Sequence, residues 1–149
     1  MTSSREPTFT TMTESARDDR HLALRVVLMP RDTNAHGSIF GGVILSHIDL
    51  AGAVGASHEI RLQGWRAKPL VTVGMNSVEF HQPVFVGDLL SFWTRVVRIG
   101  NTSISVHVAV ESEREGGLQN VTEAEVTYVA VDLQETVRHP IPIRDADVA

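Results

Sequence analysis

One proline-free stretch of 22 residues, from Gly41 to about Leu62, carries the only long helical pattern in the chain. The chain beyond this stretch alternates with the period of a strand, over Val71 to Phe80, Asp88 to Ile99, Thr102 to Glu113 and Val121 to Asp132. Ile104, Val106, Val108 and Val110 show that alternation most cleanly. Turn residues fall at Gln82-Pro83, Val86-Gly87-Asp88, Gly100-Asn101 and Gly116-Gly117. Connections this short join antiparallel neighbours and leave no length for crossover helices, so a parallel nucleotide-binding sheet is excluded. An earlier segment, His21 to Met29, alternates at Leu22, Leu24, Val26 and Leu28 and runs into Pro30, which predicts one more strand. A single helix is thus left to cover an antiparallel sheet. The fold class is α+β, one long central helix wrapped by the sheet.

The helix text fits that task. Ile44, Ile48, Ala51 and Gly55 fall on one stripe. Ala51, Gly52, Ala53, Gly55 and Ala56 allow close approach of a neighbouring layer, at a propensity cost of about 1 kcal/mol for each interior glycine.

Composition narrows the function classes. The chain has 149 residues, 42% of them hydrophobic and 21% charged, which is the range of one globular domain with a core. It has no cysteine, which removes a disulfide framework, a thiolate zinc site, an iron–sulfur cluster and a cysteine nucleophile, and predicts a cytoplasmic location. No run approaches the roughly 18 to 20 apolar residues of a membrane span, and residues 1–20 read as a Ser-, Thr- and charge-rich tail without a signal-peptide core. A net charge of −5 gives no electrostatic footprint for nucleic acid or anionic lipid, so neither is expected as a partner.

Asp49 is the one acidic group in the run from Leu45 to Ala53, among apolar and small neighbours. A carboxylate in such a setting has the chemistry of a general base, against the ordinary alternatives of a solvated helix face or an ion pair. The segment Arg31 to Gly42 has the Asp, Asn and Gly density of a structured loop, and Gly41-Gly42 opens the helix. Unpaired N–H groups at a helix start favour developing negative charge, so these glycines are candidates for an oxyanion hole; plain turn chemistry is the alternative. Asn34 offers an amide that can orient water, although loop asparagines more commonly cap their own backbone.

Geometry links these groups. Gly42 and Asp49 lie roughly 10 Å apart along one helix axis, too far to meet on one carbonyl. Two such helices laid side by side and antiparallel bring the start of one to the middle of the other, which predicts a dimer with shared sites. His47, two positions before Asp49, points to a different face and is not its direct partner. None of the seven histidines makes a metal-ligand spacing, so no metal is expected. Serine-hydrolase, Walker and dinucleotide motifs are lacking.

The blocks MPRDTNAHGSIFGG, SHIDLAGA, VTVGMNSVEFHQPVFVGD, GNTSISVHV and VTEAEVTYVAVD together resemble the hotdog-fold acyl-CoA thioesterases, of the bacterial YciA type and the related eukaryotic cytosolic long-chain acyl-CoA hydrolases. The resemblance spans roughly residues 21–142 in order and spacing, and it implies one hotdog domain there, with tails at 1–20 and 143–149. It implies a dimer that assembles further into hexamers or tetramers. It also implies a site between subunits, with Asp49 from one chain and Asn34 and Gly41 or Gly42 from the other. The substrate would be fatty acyl-CoA, hydrolysed to coenzyme A and a carboxylic acid. No separate cofactor is implied, since coenzyme A is part of substrate and product.

On that reading Asn34 orients a water and Asp49 takes its proton; attack by Asp49 itself is the competing version. The family's coenzyme A contacts fall on Asn101, Thr102 and Ser103. Arg95 and Arg98 could add phosphate charge, or be a solvated strand edge. A hotdog enoyl-CoA hydratase would draw on an Asp and His pair, and Asp32 and His36 are close, but their Thr-Asn-Ala spacer does not match that pattern. A non-catalytic acyl-CoA-binding regulator would normally carry an effector domain, for which residues 1–20 are too short and too polar.

Overall fold

The computed structural model describes residues 19–134 and 136–146; of the expected N-terminal tail, only Asp19 and Arg20 fall inside that range. In chain order the elements are β1 (His21–Val27), a 3-10 turn (Pro30–Asp32), α1 (Gly41–Leu62), β2 (Leu70–Phe80), β3 (Leu89–Ile99), β4 (Ser103–Arg114), β5 (Gly117–Asp132) and the short β6 (His139–Pro140). The sheet is antiparallel with strand order β1-β3-β4-β5-β2, and β6 pairs with the end of β5.

The helix lies across this sheet as its period requires. Ile44, Ile48, Ala51, Gly52, Gly55, Ala56 and Ile60 form its buried stripe. Opposite them, Ile104, Val106, Val108 and Val110 of β4 are fully buried, with Ala124, Val126, Tyr128 and Ala130 of β5 beside them. Each large aliphatic side chain so covered contributes about 1.5–3 kcal/mol relative to exposure. Two glycines set the spacing. A Cβ at Gly55 would collide with the Thr94 side chain, and one at Gly52 with the Tyr128 hydroxyl.

Several boundaries differ from the sequence reading. A bulge between Leu22 and Leu24 puts Leu22 opposite Trp93 but Leu24 opposite Phe92, so Leu22 leaves the core face and is exposed, and β1 ends at Val27 rather than Met29. β5 starts at Gly117, because the hairpin turns on Glu115-Gly116 and Arg114 already pairs with Gly117. Past Pro142 the described chain still packs against the domain. Ile143 is fully buried, its N–H donates to the Asn101 carbonyl, and Lys68 Nζ donates to Asp145 Oδ1 at 2.8 Å. At the other end, Arg20 stacks over Trp93 and reaches Glu111, so packing begins before His21.

Both ends of the strand order are open edges, and β2 is the longer. Its register shifts twice, between Thr72 and Gly74 and between Asn76 and Glu79, and Ser77 takes up the second with φ of 52°. Val73, Val78 and Phe80 of this strand are exposed, and Leu50 of α1 is exposed as well.

Gly55→Ala tests the close contact between layers. Urea denaturation should show a loss of about 1–3 kcal/mol, the scale of an overpacked core position. An unchanged midpoint would mean that α1 does not sit against Thr94.

Candidate functional site

The loop before α1 is built from its own polar side chains. Asp32 Oδ2 accepts the Met29 N–H at 3.0 Å. Asn34 Oδ1 accepts the N–H groups of His36 at 2.8 Å and Ser38 at 3.3 Å, while Asn34 Nδ2 donates to Ser38 Oγ at 2.9 Å. Asn34 therefore does cap its own loop, and the second N–H of its amide is left over. The Ile39 N–H then donates to the Val84 carbonyl at 2.7 Å and the Phe40 N–H to the Asp32 carbonyl at 2.9 Å, which fixes where the helix begins.

Phe40 is the N-cap and has no capping oxygen. Among the described residues the N–H groups of Gly41 and Gly42 consequently find no acceptor. A Cβ on Gly41 would come within 3.3 Å of the Phe80 ring, so this glycine brings bare backbone beside an aromatic face. Gly41 lines a cavity of about 290 Å³ whose walls combine apolar Ile44, Phe80 and Val84 with polar His81 and Gln82.

Asp49 is half-buried on the flank of α1 that faces β2 and β5. Thr72 Oγ1 donates to Asp49 Oδ1 at 2.6 Å, and the Tyr128 hydroxyl donates to the Asp49 main-chain carbonyl at 2.5 Å. Burial first, and then the nearby Asp49 carboxylate, push the Tyr128 phenol well above its ordinary value. Sequence reasoning missed Thr72 and Tyr128. Thr72 reads as one more residue of an alternating strand until its register with Tyr128 is known.

Within one chain, then, Asp49 sits by Thr72 near the start of β2 and Gly41 sits by Phe80 at its end. The single chain does not bring them together. The proposed coenzyme A contacts lie elsewhere, on the β3–β4 turn, where the carbonyls of Asn101, Thr102 and Ser103 accept from Ile143, Ala130 and Gly100. Arg95 and Arg98 line a larger cavity of about 570 Å³ between β3 and the C-terminal half of α1, with His21 and His58 stacked at 3.7 Å on its wall. That space adjoins Gly55 and not Asp49.

One group with metal-ligand chemistry is present that linear spacing does not reveal: Glu79, His81 and Glu123 converge across β2 and β5. His81 and His107 meet the two oxygens of Glu123 at 2.8 and 3.1 Å. Burial works against the charged Glu123 carboxylate, but hydrogen bonds from His81 and Asn120 and the charge of His107 outweigh it, so its carboxyl lies below the ordinary range. Among the described residues no helix is long and apolar enough to cross a membrane.

The model of the thioesterase superfamily matches residues 36–118, the segment from the loop ahead of α1 through the end of the β4–β5 hairpin turn. This chain belongs to the thioesterase superfamily. It is 39% identical over 128 residues to the acyl-CoA thioester hydrolase YciA of Salmonella typhimurium, covering 83% of this chain and 91% of that protein. Among solved structures it resembles a hexameric hotdog-fold thioesterase of Campylobacter jejuni, at 46% identity and TM-score 0.69, over 80% of this chain and 89% of that one. It also resembles a hexameric thioesterase of Yersinia pestis, at 35% identity and TM-score 0.72, over 85% and 97%. The helix wrapped by an antiparallel sheet is the hotdog fold of these thioesterases.

Tyr128 is the only tyrosine of this thioesterase, which makes its environment directly readable. Because its folded value is raised, its contribution to stability is complete below about pH 10, the ordinary tyrosine value, and is lost as pH rises beyond it. Absorbance of tyrosinate should appear near pH 10 in urea and not in the folded protein at that pH. Equal titration curves in the two states would contradict the buried hydroxyl.

Proposed function

We propose that this thioesterase is a cytoplasmic hydrolase of fatty acyl-CoA, releasing coenzyme A and a carboxylic acid at sites shared between two chains. The observation that carries the reading is the placement of Asp49 and the free N–H groups of Gly41 and Gly42 at opposite ends of the open edge strand β2. Two copies joined antiparallel along β2, about an axis near Asn76, set Thr72 and Asp49 of one chain opposite Phe80 and Gly41 of the other. Such pairing also covers Val73, Val78 and Phe80 and gives the exposed edge its hydrogen-bond partners. The hexameric state of the two solved relatives supports three such dimers in the full assembly.

In this scheme the thioester carbonyl accepts from Gly41 or Gly42, and the start of α1 stabilises the oxyanion as it forms. The spare N–H of Asn34, in the same loop as those glycines, orients the water. Asp49 of the other chain removes a proton as the water oxygen bonds to the carbonyl carbon. Collapse breaks the C–S bond, and that proton leaves with the coenzyme A thiol. Thr72 holds the carboxylate in place. Asn101, Thr102 and Ser103 offer side-chain amide and hydroxyl groups to the coenzyme A moiety. The scheme uses no resident cofactor.

Asp49→Ala should lower kcat for acyl-CoA hydrolysis by about two to four orders of magnitude, the scale of a lost general base. Release of free thiol, followed with a chromogenic disulfide, measures it. Full activity in that variant would overturn the reading.

A further inference from the structure

The sheet face turned away from α1 gathers four side chains that the hydrolytic scheme does not use. Val106 and Val108 of β4 and Ala124 of β5 are buried in the core, so His107 and Glu123, which alternate with them, stand on the opposite face. Glu79 pairs with Glu123 in the register of β2 and β5, one position before Phe80, whose ring meets Gly41 on the helix side. His81 follows that strand; its N–H donates to the Val121 carbonyl at 2.9 Å, and its ring reaches Glu123. We propose that Glu79, His81 and Glu123 bind one divalent transition-metal ion of the zinc class, which clamps the end of β2 to β5.

The donor atoms are spaced for such an ion. His81 Nε2 lies 2.8 Å from Glu123 Oε2 and 3.6 Å from Glu79 Oε2, and the ligand atoms of all three residues fall within 4.8 Å of one another. Around a tetrahedral zinc with bonds of about 2.0–2.1 Å, neighbouring ligand atoms stand roughly 3.3 Å apart. Glu79, the most exposed of the three, has the freedom to close the remaining gap. His107 Nε2 meets the other oxygen of Glu123 at 3.1 Å and so holds that carboxylate in one orientation. Water completes the coordination.

Charge and donor type narrow the class. With neutral imidazoles, Glu79 and Glu123 place two negative charges on one patch, and among the described residues their only ion-pair partners are His81 and His107. A divalent cation cancels that charge. The imidazole donor favours a transition metal over magnesium or calcium, which prefer oxygen-only sets. Pairing of two chains along β2 uses main-chain groups in the plane of the sheet, whereas these side chains stand perpendicular to it. The site therefore does not depend on the catalytic reading and is compatible with it.

Calorimetric titration of the chelator-treated full assembly with Zn²⁺, at a pH above the ordinary histidine value, should show one saturable equivalent per chain. Binding should raise the midpoint of thermal unfolding, and millimolar Mg²⁺ should not compete. Glu79→Gln, at an exposed side chain, should weaken binding by at least about tenfold and His81→Ala by at least about a hundredfold. His107→Ala, which only frees the Glu123 carboxylate, should cost less than His81→Ala. His139→Ala, at an exposed histidine by the far end of β5, should bind as the wild type does. The metal-free melting point of each variant separates lost binding from lost folding. No Zn²⁺ binding, competition by Mg²⁺, or binding that Glu79→Gln and His81→Ala leave unchanged would overturn the site.

Discussion

Gly52 and Gly55 let α1 settle so close to the sheet that the Tyr128 hydroxyl and Thr94 fill the space side chains would need. The rest of the molecule depends on that contact. It places Asp49 against β5 and β2, where Tyr128 anchors its main chain and Thr72 its carboxylate. It also fixes the direction of the helix, so that its uncapped start emerges beside Phe80 and the β2–β3 connection. A helix held a few ångströms further out by ordinary side chains would lose the Tyr128 bond and blur both positions.

A sheet covered by one helix has an unavoidable cost, two open edges. β1 is short and bulged, which suits an exposed edge, but β2 is long and carries apolar residues outward. The proposed dimer turns that liability into the active site. The two halves of the chemistry sit at opposite ends of one edge, and antiparallel pairing is the operation that superposes opposite ends. The same strand would then serve as subunit contact and as carboxylate support through Thr72.

The helix, its buried stripe and the alternation of β4 were legible because burial on one side imposes a strict period: Ile44, Ile48, Ala51 and Gly55 are all buried, as are Ile104, Val106, Val108 and Val110. The features that escaped the sequence break that period or depend on distant pairing. The bulge at Leu22 shifts the face without changing residue type. Ile143 looks like tail until its N–H is seen to close on Asn101. Asp49 stands out because a lone acid in apolar text is expensive, whereas Thr72 and Phe80 matter only through the residues of α1 that β2 meets in the fold. Glu79, His81 and Glu123 meet across strands more than 40 residues apart, which no spacing motif encodes.

In the proposed enzyme each site takes its carboxylate from one chain and its oxyanion donors and water-orienting Asn34 from the other. That division is tested most directly by reassociating two inactivated variants, Asp49→Ala and Asn34→Ala, the second removing the amide that orients the water. If the sites are shared, each mixed dimer contains one intact site, and random reassociation should restore about a quarter of wild-type activity. If both groups act within one chain, every site stays defective, and mixing should restore nothing.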